Sequence, residues 1–180
     1  MNENKKTIDV TALGELLVDF TMNGQSEHGN QIFEACPGGA PCNVLALLQK
    51  MGKKTAFIGK VGNDQFGKML KATIEDAGID ASSLIFDTKV NTTLAFVHTF
   101  ENGDRDFSFY RNPGADMMLT AAEVNEATIK NSKIFHFGTL SMTADGVREA
   151  TKKAVTTARE NGCLISFDPN LRPPLWEYLD

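Results

Sequence analysis

Residues 37–43 read Pro37-Gly38-Gly39-Ala40-Pro41-Cys42-Asn43. Two adjacent glycines leave their backbone bare, so a ligand can approach it closely, and both tolerate positive φ. Pro41 suits the first position of a helix, where a missing N–H costs nothing. Residues 44–51 are mostly apolar and end at Gly52, a good helix stop. The stretch therefore predicts a tight turn that opens a buried helix. Asn43 falls in the first helical turn, beside free backbone N–H groups that suit an oxygen-rich ligand. The same pattern without a ligand is a plain loop-to-helix junction.

Upstream, residues 7–13 read as a strand ended by Gly14. Residues 15–21 continue extended, with Asp19 set between Val18 and Phe20. A carboxylate inside an apolar run needs a partner, from the fold or from a ligand. Residues 22–30 read as a loop and 31–36 as a short strand leading into the turn. Downstream, residues 55–61 form a near-continuous apolar run, as buried parallel strands do. Asp64 can cap a helix with Phe66, Leu70, Ile74 and Ala77 at helical spacing, stopped by Gly78. Residues 92–100 and 105–110 read as the two arms of a hairpin with a turn over 101–104. Thr120 with Glu123 is a capping box expected to open another helix. Residues 133–138 are a strand, 143–161 a helix with Val147, Ala150, Ala154 and Ala158 inward, and 163–168 a strand broken by Pro169-Asn170.

Strands alternating with helices indicate a parallel sheet covered on both faces. Two extended pairs, about 15–36 and 90–111, interrupt that rhythm and are expected to form a small separate β layer. In open α/β sheets, ligands bind outside the carboxyl ends of the strands. Asp168-Pro169-Asn170-Leu171-Arg172 lies at such a place. Phe107-Ser108-Phe109-Tyr110-Arg111 offers aromatic and guanidinium groups that suit an oxygen-rich small ligand.

The chain has 180 residues, 42% hydrophobic and 23% charged, enough for one sizeable core. A net charge of −5 and a pI near 5.2 argue against nucleic acid as the main partner. No apolar run approaches membrane-spanning length, and the polar first residues do not resemble a signal peptide. Cys36, Cys42 and Cys163 lack metal-ligand spacing and read as free thiols of a cytoplasmic protein. Residues 62–69 approach a phosphate-binding P-loop. Met69 stands where that motif needs a Ser or Thr for Mg2+, which excludes it. His28, His98 and His136 are scattered, and His136 reads as a satisfied core residue.

Gly38-Gly39-Ala40-Pro41-Cys42-Asn43, then Gly52, then Gly59-Lys60-Val61-Gly62-Asn63-Asp64-Gln65-Phe66-Gly67, resembles the first signature of the ribokinase-like (PfkB) carbohydrate kinases, apart from Leu45 where a small residue is usual. Residues 14–20, 109–116, 135–138 and 168–172 resemble the bacterial fructokinase branch. The resemblance implies a Rossmann-type three-layer α/β sandwich with a small β-sheet lid, made of segments about 15–36 and 90–111. The implied reaction is phosphoryl transfer from ATP with Mg2+ to a sugar hydroxyl, fructose first, with K+ as a further candidate ion. A 2-keto-3-deoxygluconate kinase, in which Arg111 and Arg172 would grip a carboxylate, is the alternative within the family. A catalytically dead sugar-binding module is the alternative outside it.

The resemblance also implies roles for single residues. Asp19, Gly38, Gly39 and Asn43 match positions that hold sugar hydroxyls. Tyr110 and Arg111 match lid residues on the substrate side. Asn170 matches a position near the ATP phosphates and Mg2+, and Arg172 one at the substrate or phosphate. A homodimer through the lid is a further expectation. The family's Gly-Ala-Gly-Asp signature, which carries the catalytic Asp and the anion hole, does not occur in residues 1–180. The resemblance therefore implies that the catalytic base lies beyond Asp180. Residues 1–180 are expected to be the N-terminal, sugar-binding portion of a kinase. An incomplete sheet, no catalytic base or metal ligand of their own, and no activity alone are expected of them.

Overall fold

The apolar run Ile8–Leu13 forms strand β1, buried over its last four residues at the centre of a parallel sheet. A computed structural model of the chain describes residues 6–99 and 105–176. After β1 come β2 (Leu17–Gln25), β3 (Gln31–Gly38) and helix α1 (Ala40–Lys50). Then follow β4 (Thr55–Gly62), α2 (Gln65–Asp76), β5 (Asp80–Asp87), β6 (Leu94–Thr99) and β7 (Arg105–Tyr110). The chain continues through α3 (Glu126–Lys130), β8 (Ser132–Gly138), α4 (Asp145–Glu160) and β9 (Leu164–Asp168).

Five strands form one parallel sheet in the order β5-β4-β1-β8-β9. Helices α1 and α2 pack on one face, where Leu45, Leu70 and Ile74 meet Val10, Ala12 and Phe57. Helix α4 packs on the other, where Val147, Ala150, Ala154 and Ala158 meet Leu13, Ile58 and Phe135. The structure is thus an α/β sandwich of three layers. Leu45 is fully buried in the first cluster, so its bulk is accommodated by the packing. The four remaining strands form a second sheet in the order β3-β2-β6-β7. Among the described residues no helix is long and apolar enough to cross a membrane.

Several elements differ from the sequence expectation. Strand β5 has no counterpart there: its stretch DASSLIFD opens with polar residues because it is an edge strand with one face in solvent. Strand β2 runs on to Gln25 through a register shift after Met22, and Gly24 takes a positive φ of 86° there, so the loop is shorter than expected. The Thr120–Glu123 capping box is real, yet it opens only a single 3-10 turn, Ala121–Glu123. The helix that follows starts afresh at Glu126 under an Asn125 cap. Glu123 also accepts from Lys60 at 2.7 Å and so holds the one charged side chain buried in β4.

The hairpin turn expected over 101–104, Phe100 and residues 177–180 lie outside the described residues. Asp180, beyond which the catalytic base is expected, is one of these.

Asp64 caps α2 as expected, accepting the Gly67 N–H at 2.8 Å. The glycine-rich stretch around it is therefore a strand–turn–helix junction. His136 is buried, and its Nδ1 lies 2.9 Å from Ser166 Oγ. Burial pushes its imidazole below the usual range, in keeping with a satisfied core residue. All three cysteines are free.

Candidate functional site

Strand direction decides which side chains of the second sheet can meet. Successive residues point to opposite faces. Across β2, β3, β6 and β7 the register aligns Asp19 with Cys36 and Ala95, Thr21 with Val97, and Val97 with Phe107. The face carrying Leu17, Asp19, Thr21, Cys36, Val97, Phe107 and Phe109 bounds a cavity of about 370 Å3. The cavity is closed on its other side by Glu15, Gly39, Ala40, Asn43, Leu140, Asn170 and Arg172. A volume of this size is in the range of small-molecule sites. It lies where Gly14 follows β1, Gly138 ends β8 and Asn170 follows β9, at the carboxyl ends of the parallel strands.

Asp19 is the group most available to a ligand. It is half-buried at the cavity, and none of the described residues donates a hydrogen bond to it. Burial holds its carboxyl above the usual range, with the Arg172 guanidinium acting against that. A carboxylate with acceptor positions to spare suits the O–H donors of a polyol. Asn43 is exposed in the first turn of α1 and adds an amide on the same side. Phe107 and Phe109, with ring centroids 5.8 Å apart, supply an apolar wall. Arg172 lies over the Phe107 ring at 5.9 Å.

The two glycines are needed for a reason that only the packing reveals. A side chain on Gly38 would overlap the Asp19 carboxylate and crowd Leu17. One on Gly39, whose φ is 124°, would overlap the Glu15 carbonyl. Bare backbone here serves the protein's own packing, and only Gly39 borders the cavity. Gly38 positions Asp19 from behind.

Glu15 is a cavity residue that sequence reasoning misses. It is 3% exposed, lines the cavity and accepts the Ala40 N–H at 2.8 Å, capping α1 from a distant loop. Burial pushes its carboxyl up to about 7, and the nearby Asp116 charge adds to this. A signal is present in the sequence, since Glu15, like Asp19, is a carboxylate beside apolar residues. Phe107 and Phe109 enter the sequence reading only as part of an aromatic strand; their alternation picks them out from Tyr110.

Tyr110 and Arg111 are not brought to the cavity. Tyr110 lies on the opposite face of the second sheet, 67% exposed and edge-on to Phe96. Arg111 is buried with Asp116, which accepts from its Nε at 2.8 Å and from its Nη2 at 2.6 Å. Of the other expected residues, Asp19, Gly39, Asn43, Asn170 and Arg172 converge on the cavity. Asn170 takes a positive φ of 39°, and its backbone N–H donates to Asp168 at 3.1 Å. Asp168, Asn170 and Arg172 form an oxygen, amide and guanidinium set at the end of β9. Such a set fits phosphate oxygens and the hard oxygen ligation of Mg2+.

A family model described as pfkB family carbohydrate kinase matches residues 7–180. Fructokinase-1 of Oryza sativa subsp. japonica is 46% identical over 169 residues, which cover 93% of this chain and 52% of that protein. The crystal structure of fructokinase with bound ATP from Xylella fastidiosa superposes with a TM-score of 0.86 at 35% identity, covering 96% of this chain and 51% of that one. The structure of a putative ribokinase II from E. coli in complex with ATP and Mg2+ gives a TM-score of 0.83 at 33% identity, covering 92% and 54%. The chain spans about half the length of the curated relatives that it matches.

Proposed function

The chain belongs to the pfkB family of carbohydrate kinases, and from that premise we propose that it forms the sugar-binding side of an ATP-dependent kinase whose acceptor is fructose. The observation that carries this reading is the cavity between the two sheets, where one wall carries both the Asp19 carboxylate, free for a ligand, and the rings of Phe107 and Phe109. Hydroxyls of the sugar donate to Asp19 and to the Asn43 amide oxygen, while its C–H faces lie against the rings. The fructokinases among its relatives support fructose as the acceptor.

ATP with Mg2+ is the donor, a reading supported by the ATP-bound fructokinase and the ATP- and Mg2+-bound ribokinase II. When bound, MgATP supplies the transferable phosphoryl group and neutralises its charge. Asn170 and Arg172 would hold it on the phosphate side, with Asp168 beside them. The second sheet serves as a lid. It excludes water from the sugar and completes the site on closure. On the face away from the cavity, Phe20 packs against Phe66 of α2, while Phe33 and Phe96 with exposed Met22 and Tyr110 extend beyond that contact, which supports a homodimer through the lid.

The test is calorimetric titration of fructose into the protein and into Asp19→Ala. Loss of the carboxylate should weaken binding by about 1.5–3 kcal/mol, the worth of hydrogen bonds to a charged group. Equal affinity in the two folded chains would overturn the assignment of Asp19.

A further inference from the structure

A guanidinium stands directly behind the cavity wall. Arg111 Nη2 donates to the Leu140 carbonyl at 3.0 Å, and Leu140 lines the cavity. Arg111 also acts by charge on Glu15, a second cavity residue. Left alone, a cation here would attract a carboxylate or phosphate on the bound ligand. Asp116 pairs with Arg111. Its Oδ2 accepts from both Nε and Nη2, its Oδ1 accepts from Thr93 Oγ1 at 2.5 Å, and Arg111 Nη1 donates to Thr143 Oγ1 at 2.9 Å. Both members of the pair are nearly inaccessible, at 7% and 5% exposure. The other guanidinium near the site, Arg172, acts on Asp19. Of these two guanidiniums, Arg111 is the one held in a hydrogen-bonded ion pair.

Resting on the reading of this cavity as a sugar site, we propose that Asp116 is a specificity-determining residue: by neutralising Arg111 it makes the site accept neutral sugars and refuse sugar acids. The effect is one of charge, transmitted through the cavity wall in a poorly solvated place where a full charge is weakly screened. On this proposal, an arginine just after β7 does not by itself make the chain a binder of keto-acid sugars. The feature that separates the two substrate classes is the carboxylate five residues later, and not the arginine itself.

The experiment compares D-fructose with D-gluconate, a neutral and an anionic probe, by calorimetric titration of the protein and three variants. The unaltered chain should bind fructose and discriminate against gluconate. Asp116→Asn keeps the shape but frees the Arg111 charge, and should narrow the gluconate-to-fructose Kd ratio about tenfold or more. Asp116→Glu restores the charge and should restore the discrimination. Arg111→Gln with Asp116→Asn removes both charges and should keep the original ratio, which a merely structural role for Asp116 would not do. A folded Asp116→Asn with an unchanged ratio overturns the proposal. If Asp116→Asn does not fold unaided, it is refolded in each sugar. Recovery in gluconate alone supports the proposal, and equal or absent recovery in both overturns it. An unaltered chain that binds neither sugar refutes the sugar-site reading itself, and the proposal with it.

Discussion

Glu15 should make the stability of this protein fall as pH rises through neutrality. Its carboxyl is 3% exposed and pushed up from an ordinary 4.5 to about 7, chiefly by burial. The folded chain therefore keeps a proton that the unfolded chain has already lost between those two values. Folding is favoured below pH 4.5, and that advantage disappears as pH climbs through 7. A shift of this size corresponds to about 3 kcal/mol in all, of which about 2.5 kcal/mol falls between pH 5 and pH 8. Glu15→Gln keeps an acceptor for the Ala40 N–H and cannot ionise. Urea unfolding of both chains at pH 5, 6, 7 and 8 gives the comparison. The stability of Glu15→Gln relative to the parent should rise by about 2.5 kcal/mol from pH 5 to pH 8. Contributions of opposite sign, such as that of His136, whose imidazole is lowered by burial, cancel in the difference. Parallel pH curves for the two chains would refute the reasoning, because they would show that Glu15 titrates alike in the folded and unfolded states.

The two glycines of the turn should respond differently. Gly38→Ala meets the end of the Asp19 side chain, so it should change stability by about 1 kcal/mol or less while weakening fructose binding as Asp19→Ala does. Gly39→Ala meets backbone at a φ of 124° and should cost about 1–3 kcal/mol in a urea melt; identical behaviour of the two variants in both assays would undo the distinction. Hydrogen exchange should slow in β2, β3, β6 and β7 on addition of fructose, as closure of a lid requires. Protection confined to the turn at residues 38–43 would show that the second sheet does not move.

The alternation of strands and helices is legible because burial imposes its period on the sequence. Thr55–Gly62 is buried along its whole length and reads as one apolar run, and Val147, Ala150, Ala154 and Ala158 recur at the helical period. Strand β5 escapes notice because an edge strand keeps polar residues on its solvent side, which removes the apolar signal. The capping box at Thr120 reads correctly as chemistry and wrongly as the start of a long helix. A local hydrogen-bond pattern nucleates a turn, while helix length is set by what packs against it.

By itself the sequence determined the fold class, the position of the turn that opens α1, and five of the residues that meet at the cavity: Asp19, Gly39, Asn43, Asn170 and Arg172. These lie in short motifs whose meaning is carried by neighbours along the chain. Tertiary structure decided the rest. Register and alternation turned Phe109 inward and Tyr110 outward, although the two are adjacent. Packing gave Gly38 the task of making room for Asp19. A pairing with Asp116 withdrew Arg111 from the ligand, and the loop carrying Leu140 helped to bury it. The physical reason is common to all three. Residue type tells what a side chain can do, but its direction and its partner depend on which strands and loops lie beside it, and contacts between residues distant in the sequence settle that.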